Sequence, residues 1–215
     1  MKTGILFDLD GTLLDTLDDL YDAVNFVLQQ LGHPKRTKAE VRHFVGNGAR
    51  RLIEQALPGT PTDAQIDKGL EIFHTYYNSI CNGGATCPYP GIPQVLEQLK
   101  KQYSVAVVSN KPDAAVKILC EKYFPGIPAL GVTEQIPRKP APDMVHKTME
   151  LLGVDRCVYV GDSEVDVLTA KNAGVPCVSV LWGFRDKWEI EEAGGKIFCE
   201  KTEDLPAIIV TQIQG

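Results

Sequence analysis

Hydrophobic positions along the chain fall into short continuous runs, separated by stretches with a wider, helical spacing. Ile5-Leu6-Phe7, Val105-Ala106-Val107-Val108, Val158-Tyr159-Val160 and Val178-Ser179-Val180 are brief, apolar and rich in β-branched residues, which predicts strands. Runs without polar alternation suit strands covered on both faces, as in a parallel sheet. Weaker strand patterns occupy Ala129 to Val132 and Lys196 to Cys199. Between the runs apolar residues recur at helical intervals, as at Val95, Leu96 and Leu99 or at Val165, Leu168 and Ala173. This alternation predicts an α/β fold, a doubly wound, Rossmann-like core with a mostly parallel sheet.

One long stretch departs from it. From Asp15 to Thr86 the pattern is helical, with segments at Leu17 to Leu31, Lys38 to Leu57 and Asp63 to Ile80. Gly32-His33-Pro34 closes the first, and Gly46-Asn47-Gly48 lies inside the second. The expected organisation is a core of residues 1–14 and 87–215 with a small all-helical cap, 15–86, inserted after the first strand. An insert there is expected above the carboxyl ends of the strands, where α/β folds bind ligands. It has the size of a lid, and lids exclude water and complete a site.

Composition narrows the partners. The formal charge of −6 argues against general affinity for nucleic acid or anionic membranes, and 44% hydrophobic with 23% charged residues is ordinary for a globular protein. No apolar run approaches the roughly 20 residues that span a bilayer. Met1-Lys2-Thr3-Gly4 leads straight into a strand, unlike a signal peptide, so a cytoplasmic location is expected. The six cysteines form no Cys-x-x-Cys pair and are expected to be reduced, mostly buried thiols, with a loop-spanning pair between Cys81 and Cys87 left open. The chain is expected to be a monomer or homodimer.

The chemistry-bearing residues gather just after the apolar runs. In Phe7-Asp8-Leu9-Asp10-Gly11-Thr12-Leu13, side chains two apart on a strand point the same way, so Asp8 and Asp10 are expected to project into one crevice. Two carboxylates that close need a cation or a proton, a layout for a metal-assisted nucleophile beside an acid/base group, although Asp-Gly is also a common turn pair. Ser109-Asn110-Lys111-Pro112 follows the second run, where a hydroxyl before a helix N-terminus can bind a phosphate oxygen. Arg138-Lys139-Pro140-Ala141-Pro142-Asp143 is stiffened by its prolines and would present Lys139 at a fixed place. In Gly161-Asp162-Ser163-Glu164-Val165-Asp166, Asp162 leaves a strand and Asp166 lies one helical turn later. Together the aspartates suggest a carboxylate cluster suited to magnesium.

These four segments resemble, in order and across nearly the whole chain, the four motifs of the haloacid dehalogenase superfamily of phosphohydrolases. The insert resembles that superfamily's smaller, all-helical cap. The resemblance implies that Asp8 attacks phosphorus to form an aspartyl-phosphate, and that Asp10 protonates the leaving alcohol and then activates water. It implies magnesium held by Asp8, Asp162 and the carbonyl of Asp10, with Asp166 supporting the ion's hydration shell. Ser109, Lys139 and the backbone N–H groups of Leu9 and Asp10 would hold the phosphoryl oxygens.

The cap stretch Val41 to Ile53 resembles the corresponding segment of phosphoglycolate phosphatases. Gly46, Asn47 and Gly48 would expose N–H donors, and one of Arg50 and Arg51, with Arg50 first, would pair with a substrate carboxylate. The implied substrate is a small phosphorylated metabolite, first of all 2-phosphoglycolate, with pyrophosphate, nucleotides and sugar phosphates as alternatives. Dehalogenases lack the second aspartate, present here as Asp10. Phosphosugar mutases of this type usually carry a histidine early in the first cap helix, and Asp15-Thr16-Leu17-Asp18-Asp19-Leu20-Tyr21 has none. A non-catalytic scaffold could lose motif residues, yet all are retained.

Overall fold

The apolar runs become strands of one parallel sheet. The computed structural model describes residues 2–80 and 83–214. The chain divides into two compact units, Met1–Leu14 with Pro88–Gly215, and Asp15–Cys87. Strand β1 (Thr3–Phe7) is followed by the two-residue β2 (Leu14–Asp15) and by helices α1 (Leu17–Gln30), α2 (Lys38–Phe44), α3 (Gly48–Ala56) and α4 (Asp63–Ile80). The two-residue β3 (Cys87–Pro88) pairs with β2 where the chain returns. Then follow α5 (Ile92–Leu99), β4 (Ser104–Pro112), α6 (Asp113–Tyr123), β5 (Ala129–Val132) and α7 (Asp143–Leu152). The chain closes with β6 (Arg156–Gly161), α8 (Glu164–Ala173), β7 (Cys177–Val180), α9 (Lys187–Glu192), β8 (Phe198–Cys199) and α10 (Leu205–Gln214).

The six-stranded sheet has the order β5-β4-β1-β6-β7-β8, and every recorded pairing is parallel. Numbered within the core, this is the 3-2-1-4-5-6 order of a doubly wound sheet, whose direction of winding reverses at β1. Ligands of such sheets bind outside the carboxyl ends of the strands at that reversal.

Alternate residues of the central strands enter two cores. Ile5, Phe7, Val105, Val107, Val158 and Val160 pack into one, and Leu6, Ala106, Val108, Cys157 and Tyr159 into the other. Burial on both faces explains why these strands lack polar alternation. Removing the bulk of Ile5 or Leu6, both fully buried, is expected to cost about 2–5 kcal/mol.

The helical unit contains the predicted helices with one break. The second segment is two helices, and the chain between them passes through Gly46 (φ 120°) and Gly48 (φ 81°), left-handed values that favour glycine. Thr37 and Glu40 form a reciprocal capping box at the start of α2. Asp19, buried on α1, accepts hydrogen bonds from the backbone of Ala85 (2.7 Å) and from the backbone (3.0 Å) and hydroxyl of Thr86 (2.5 Å). Thus the last residues of the insert are tied to its first helix. No helix among the described residues is long and apolar enough to cross a membrane. Cys87, Cys120, Cys157, Cys177 and Cys199 are free thiols, and Cys81 lies outside the described residues.

Candidate active site

Sheet topology brings the motif residues of the core together. Asp8 directly follows β1, and its backbone N–H donates to the carbonyl of Val160 on β6 at 2.9 Å. Asp162 directly follows Gly161, the last residue of β6. Ser109 lies on β4, which continues beyond its apolar run to Pro112 with a shift of register after Val108. Three adjacent strands therefore deliver Asp8, Ser109 and Asp162 to the same edge of the sheet. All three residues are buried.

Lys139, on the loop before α7, is 1% exposed and reaches into this edge. Its ammonium contacts Asp8 Oδ1 at 2.9 Å, Asp166 Oδ1 at 2.8 Å and the Tyr159 hydroxyl at 3.0 Å. Burial alone would push the lysine down, but Asp166 and Asp8 outweigh it and hold the ammonium well above the ordinary lysine range. Asn110 fixes the backbone that carries it: its side-chain amide donates to the Lys139 carbonyl (3.1 Å), and its carbonyl oxygen accepts from the Lys139 N–H (2.9 Å). Neither Asn110 nor Tyr159 was marked by the sequence pattern. An aromatic in a strand run resembles core, and only the position of the hydroxyl, which also donates to the Val108 carbonyl at 3.3 Å, shows otherwise.

Ligand atoms of Asp8, Asp162 and Asp166 lie within 4.8 Å of one another. Burial, opposed by Lys139 but reinforced by Asp166 and Asp162, pushes the Asp8 carboxyl well above its usual range. Burial and then the charge of Asp166 raise Asp162 to about 7, against hydrogen bonds from the Phe184 N–H and the Thr12 hydroxyl. One ammonium against three carboxylates leaves negative charge in excess, and hard anionic oxygens in that arrangement fit a divalent cation such as magnesium.

The three carboxylates are not equivalent. Asp166 accepts from four donors: Lys139, the backbone N–H groups of Asp162 (3.2 Å) and Ser163 (3.1 Å), and the Ser163 hydroxyl (2.6 Å). The Tyr159 hydroxyl, whose one proton can go to it or to the Val108 carbonyl, lies 3.3 Å away. A carboxylate offers about four lone-pair sites, so Asp166 has none left for an ion. Asp162 accepts one bond on each oxygen, from Thr12 Oγ1 at 3.0 Å and Phe184 N at 2.7 Å, and keeps capacity for a ligand. Among the described residues the Asp8 carboxylate is engaged by Lys139, at Oδ1.

Phe184 belongs to the segment between β7 and α9. There Trp182 Nε1 donates to the Thr12 carbonyl at 3.0 Å, and Gly183 lies so close to Asp162 that a Cβ would collide with its side chain. Arg185, buried, pairs with Glu164 at 2.8 Å. The Phe184 contact carries no sequence signal because the group presented to Asp162 is a backbone N–H.

Asp10 lies beyond the end of the strand. Strand β1 ends at Phe7, so the two-residue side-chain period does not extend through Asp8 and Asp10. The chain turns instead: the carbonyl of Leu9 accepts from the N–H groups of Thr12 (3.3 Å), Leu13 (3.0 Å) and Leu14 (3.0 Å). Leu9 is fully buried. The Asp10 carboxylate faces Lys111, whose ammonium contacts its two oxygens at 2.8 and 3.0 Å. The two aspartates of the first motif thus go to different lysines.

Within the helical unit, Gly46, Asn47 and Gly48 form the turn between α2 and α3, and Asn47 occupies the N-cap position of α3. Arg50 is already engaged: its guanidinium pairs with Asp67 and, at 2.6 Å, with Asp63. An arginine held by two carboxylates of its own unit is a poorer candidate for a substrate carboxylate than its spacing suggests.

The sequence pattern of the family described as haloacid dehalogenase-like hydrolase matches residues 5–180. The phosphoglycolate phosphatase of Pseudomonas putida is 36% identical over 193 residues, which cover 84% of this chain and 70% of that protein. That of Mesorhizobium japonicum is 36% identical over 199 residues, covering 85% of this chain and 84% of the relative. Among solved structures, a candidate phosphoglycolate phosphatase from Lactobacillus delbrueckii subsp. bulgaricus superposes with a TM-score of 0.86 at 35% identity, covering 97% of this chain and 98% of that one.

Proposed function

Since the chain belongs to the haloacid dehalogenase-like hydrolase family and is a phosphatase, we propose that it hydrolyses small phosphomonoesters through an aspartyl-phosphate on Asp8, with 2-phosphoglycolate as the preferred substrate. The observation that carries the chemistry is the buried contact of Asp8 with Lys139 beside the carboxylate of Asp162. A nucleophile must meet an anionic phosphoryl group there, and a buried ammonium offsets the repulsion.

Asp8 attacks phosphorus with one carboxylate oxygen, and the bond to the leaving oxygen breaks. Asp10 delivers a proton to that oxygen, then takes one from the water that cleaves the acyl-phosphate. Ser109, Lys139 and the N–H groups of Leu9 and Asp10 hold the phosphoryl oxygens. Asp8, Asp162 and the carbonyl of Asp10 would hold magnesium, and the saturated carboxylate of Asp166 positions Lys139 and the turn after β6. When bound, magnesium supplies charge neutralisation and polarisation of a phosphoryl oxygen. The helical unit, with the turn of Gly46, Asn47 and Gly48, is assigned to substrate selection. The identity of the relatives named phosphoglycolate phosphatase supports the substrate.

The test is phosphate release from 2-phosphoglycolate, phosphosugars, nucleotides and pyrophosphate, with magnesium and with EDTA. Magnesium-dependent preference for 2-phosphoglycolate is the expected result, and Asp8→Asn should abolish turnover. A higher kcat/KM on a sugar phosphate or on pyrophosphate would replace the substrate but keep the mechanism. Full turnover by Asp8→Asn would remove the mechanism itself.

A further inference from the structure

Two buried lysines serve the core site, and they divide between its two aspartates. Lys139 contacts Asp8, whereas Lys111 contacts Asp10 with its ammonium within 3.0 Å of both carboxylate oxygens. Lys111 stands two residues after Ser109 on β4, and its N–H donates to the Ser109 hydroxyl at 3.3 Å. Its side chain is 6% exposed and that of Asp10 14%, so this ion pair is largely withdrawn from water. Burying an ammonium is costly, and a pair beside a reacting centre calls for an explanation beyond stability.

On the mechanism proposed above, on which this inference rests, Asp10 addresses the ester oxygen of the leaving group. A cation held against Asp10 then sits beside the leaving group, whereas Lys139 sits beside the nucleophile. We propose that Lys111 is a specificity residue that binds an anionic group on the leaving alcohol, a carboxylate one or two carbons from the ester oxygen. In 2-phosphoglycolate a single methylene separates the ester carbon–oxygen bond from the carboxylate, placing the two kinds of oxygen roughly 3 Å apart. An ammonium already in hydrogen-bond range of Asp10 reaches both with little movement. The substrate carboxylate shares or replaces the Asp10 contact, so the lysine remains paired throughout. A neutral leaving group offers it nothing, and a cationic one is repelled. Of the two arginines of the helical unit that the sequence offers for this task, Arg50 is held by Asp63 and Asp67, and Arg51 pairs with Glu54 at 2.8 Å.

The experiment compares kcat/KM on three esters of similar size, 2-phosphoglycolate, ethyl phosphate and phosphoethanolamine, whose leaving groups are anionic, neutral and cationic. It uses the full chain with magnesium, as wild type, Lys111→Met and Lys111→Arg. Both variants are expected to slow every ester through Asp10, so the readout is the ratio between esters within one protein, which does not depend on its active fraction. The 2-phosphoglycolate to ethyl phosphate ratio should fall at least tenfold in Lys111→Met, chiefly through KM for the carboxylated ester, and be largely kept in Lys111→Arg. Equal losses on all three esters would confine Lys111 to holding Asp10 and overturn the proposal. Wild-type turnover of phosphoethanolamine equal to that of 2-phosphoglycolate would overturn it without any variant. If the wild type favours another short carboxylated ester, and Lys111→Met loses that preference, the substrate above is wrong while the role of Lys111 stands.

Discussion

Thr12→Val isolates what one hydrogen bond contributes to the carboxylate proposed to hold magnesium. The Thr12 hydroxyl donates to Asp162 Oδ1 at 3.0 Å, and both residues are buried. Valine keeps the branched shape and removes the donor, while the Phe184 N–H still holds the other oxygen at 2.7 Å. A hydrogen bond to a charged group contributes about 1.5–3 kcal/mol, and tenfold in an equilibrium constant is about 1.4 kcal/mol. If most of that energy keeps the carboxylate aimed at the ion, metal affinity falls about 10–100-fold, the range for partners that orient metal ligands. The loss should appear as a higher magnesium concentration at half-maximal activity, because the Thr12 hydroxyl is bonded to Asp162, whereas Lys139 is the partner of Asp8. Magnesium titration of phosphate release, with calorimetric metal binding on the same preparations, measures it. The variant should also lose more stability in EDTA at pH 8 than at pH 5.5, since Asp162, raised to about 7, is ionised only at the higher pH. An unchanged magnesium midpoint, or a lower maximal rate at an unchanged midpoint, would refute the reasoning.

Two further perturbations address the same site. Gly183→Ala would drive a Cβ into the side chain of Asp162 and to 2.5 Å from the Gly11 carbonyl, so the Trp182–Phe184 segment must move. Urea unfolding should show a loss of about 1–3 kcal/mol together with weaker magnesium dependence, and a variant matching wild type in both would contradict the close approach. Asp162 binds its proton more tightly when folded, up to about 7 against 3.8. The folded state therefore carries more protons between those values, and metal-free stability should fall as pH rises through them, by an amount on the order of 4 kcal/mol from this group. Thermal unfolding in EDTA and in magnesium should diverge as pH increases from 5 to 8, and parallel curves would reject the linkage.

The strands were legible because burial on both faces demands unbroken apolar runs, and Ile5 to Phe7 or Val158 to Val160 satisfy that demand locally. The break at Gly46 to Gly48 was not read from the helical pattern of Lys38 to Leu57, although the positive φ of both glycines accounts for it. The side-chain period was carried one step too far, from Phe7 into Asp8 and Asp10, where the chain is already turning. Partnerships across the fold were not legible. Lys111 and Asp10 stand 101 residues apart, and Arg50 gives no sign in its spacing that Asp63 and Asp67 already hold it. Phe184 contributes a backbone N–H, which every residue but proline possesses, so no residue type could have advertised it.

Identical residues acquire different roles here through the number of donors each already has. Asp166, with four, is held too completely to attack a substrate, and its surroundings suit it to positioning Lys139. Asp162, with two donors placed one on each oxygen, has a fixed orientation and spare lone pairs, the combination a metal ligand needs. Asp8, held at Oδ1 by Lys139, has its other carboxylate oxygen available to attack among the described residues. Its partner also neutralises the charge that the incoming phosphate brings. The same reasoning applies to the lysines: Lys139 is shared by two carboxylates and a hydroxyl, and Lys111 lies against the acid/base residue where the leaving group must pass. The division of labour follows from how β1, β4 and β6 end, because each end decides which backbone N–H groups and which lysine its aspartate meets.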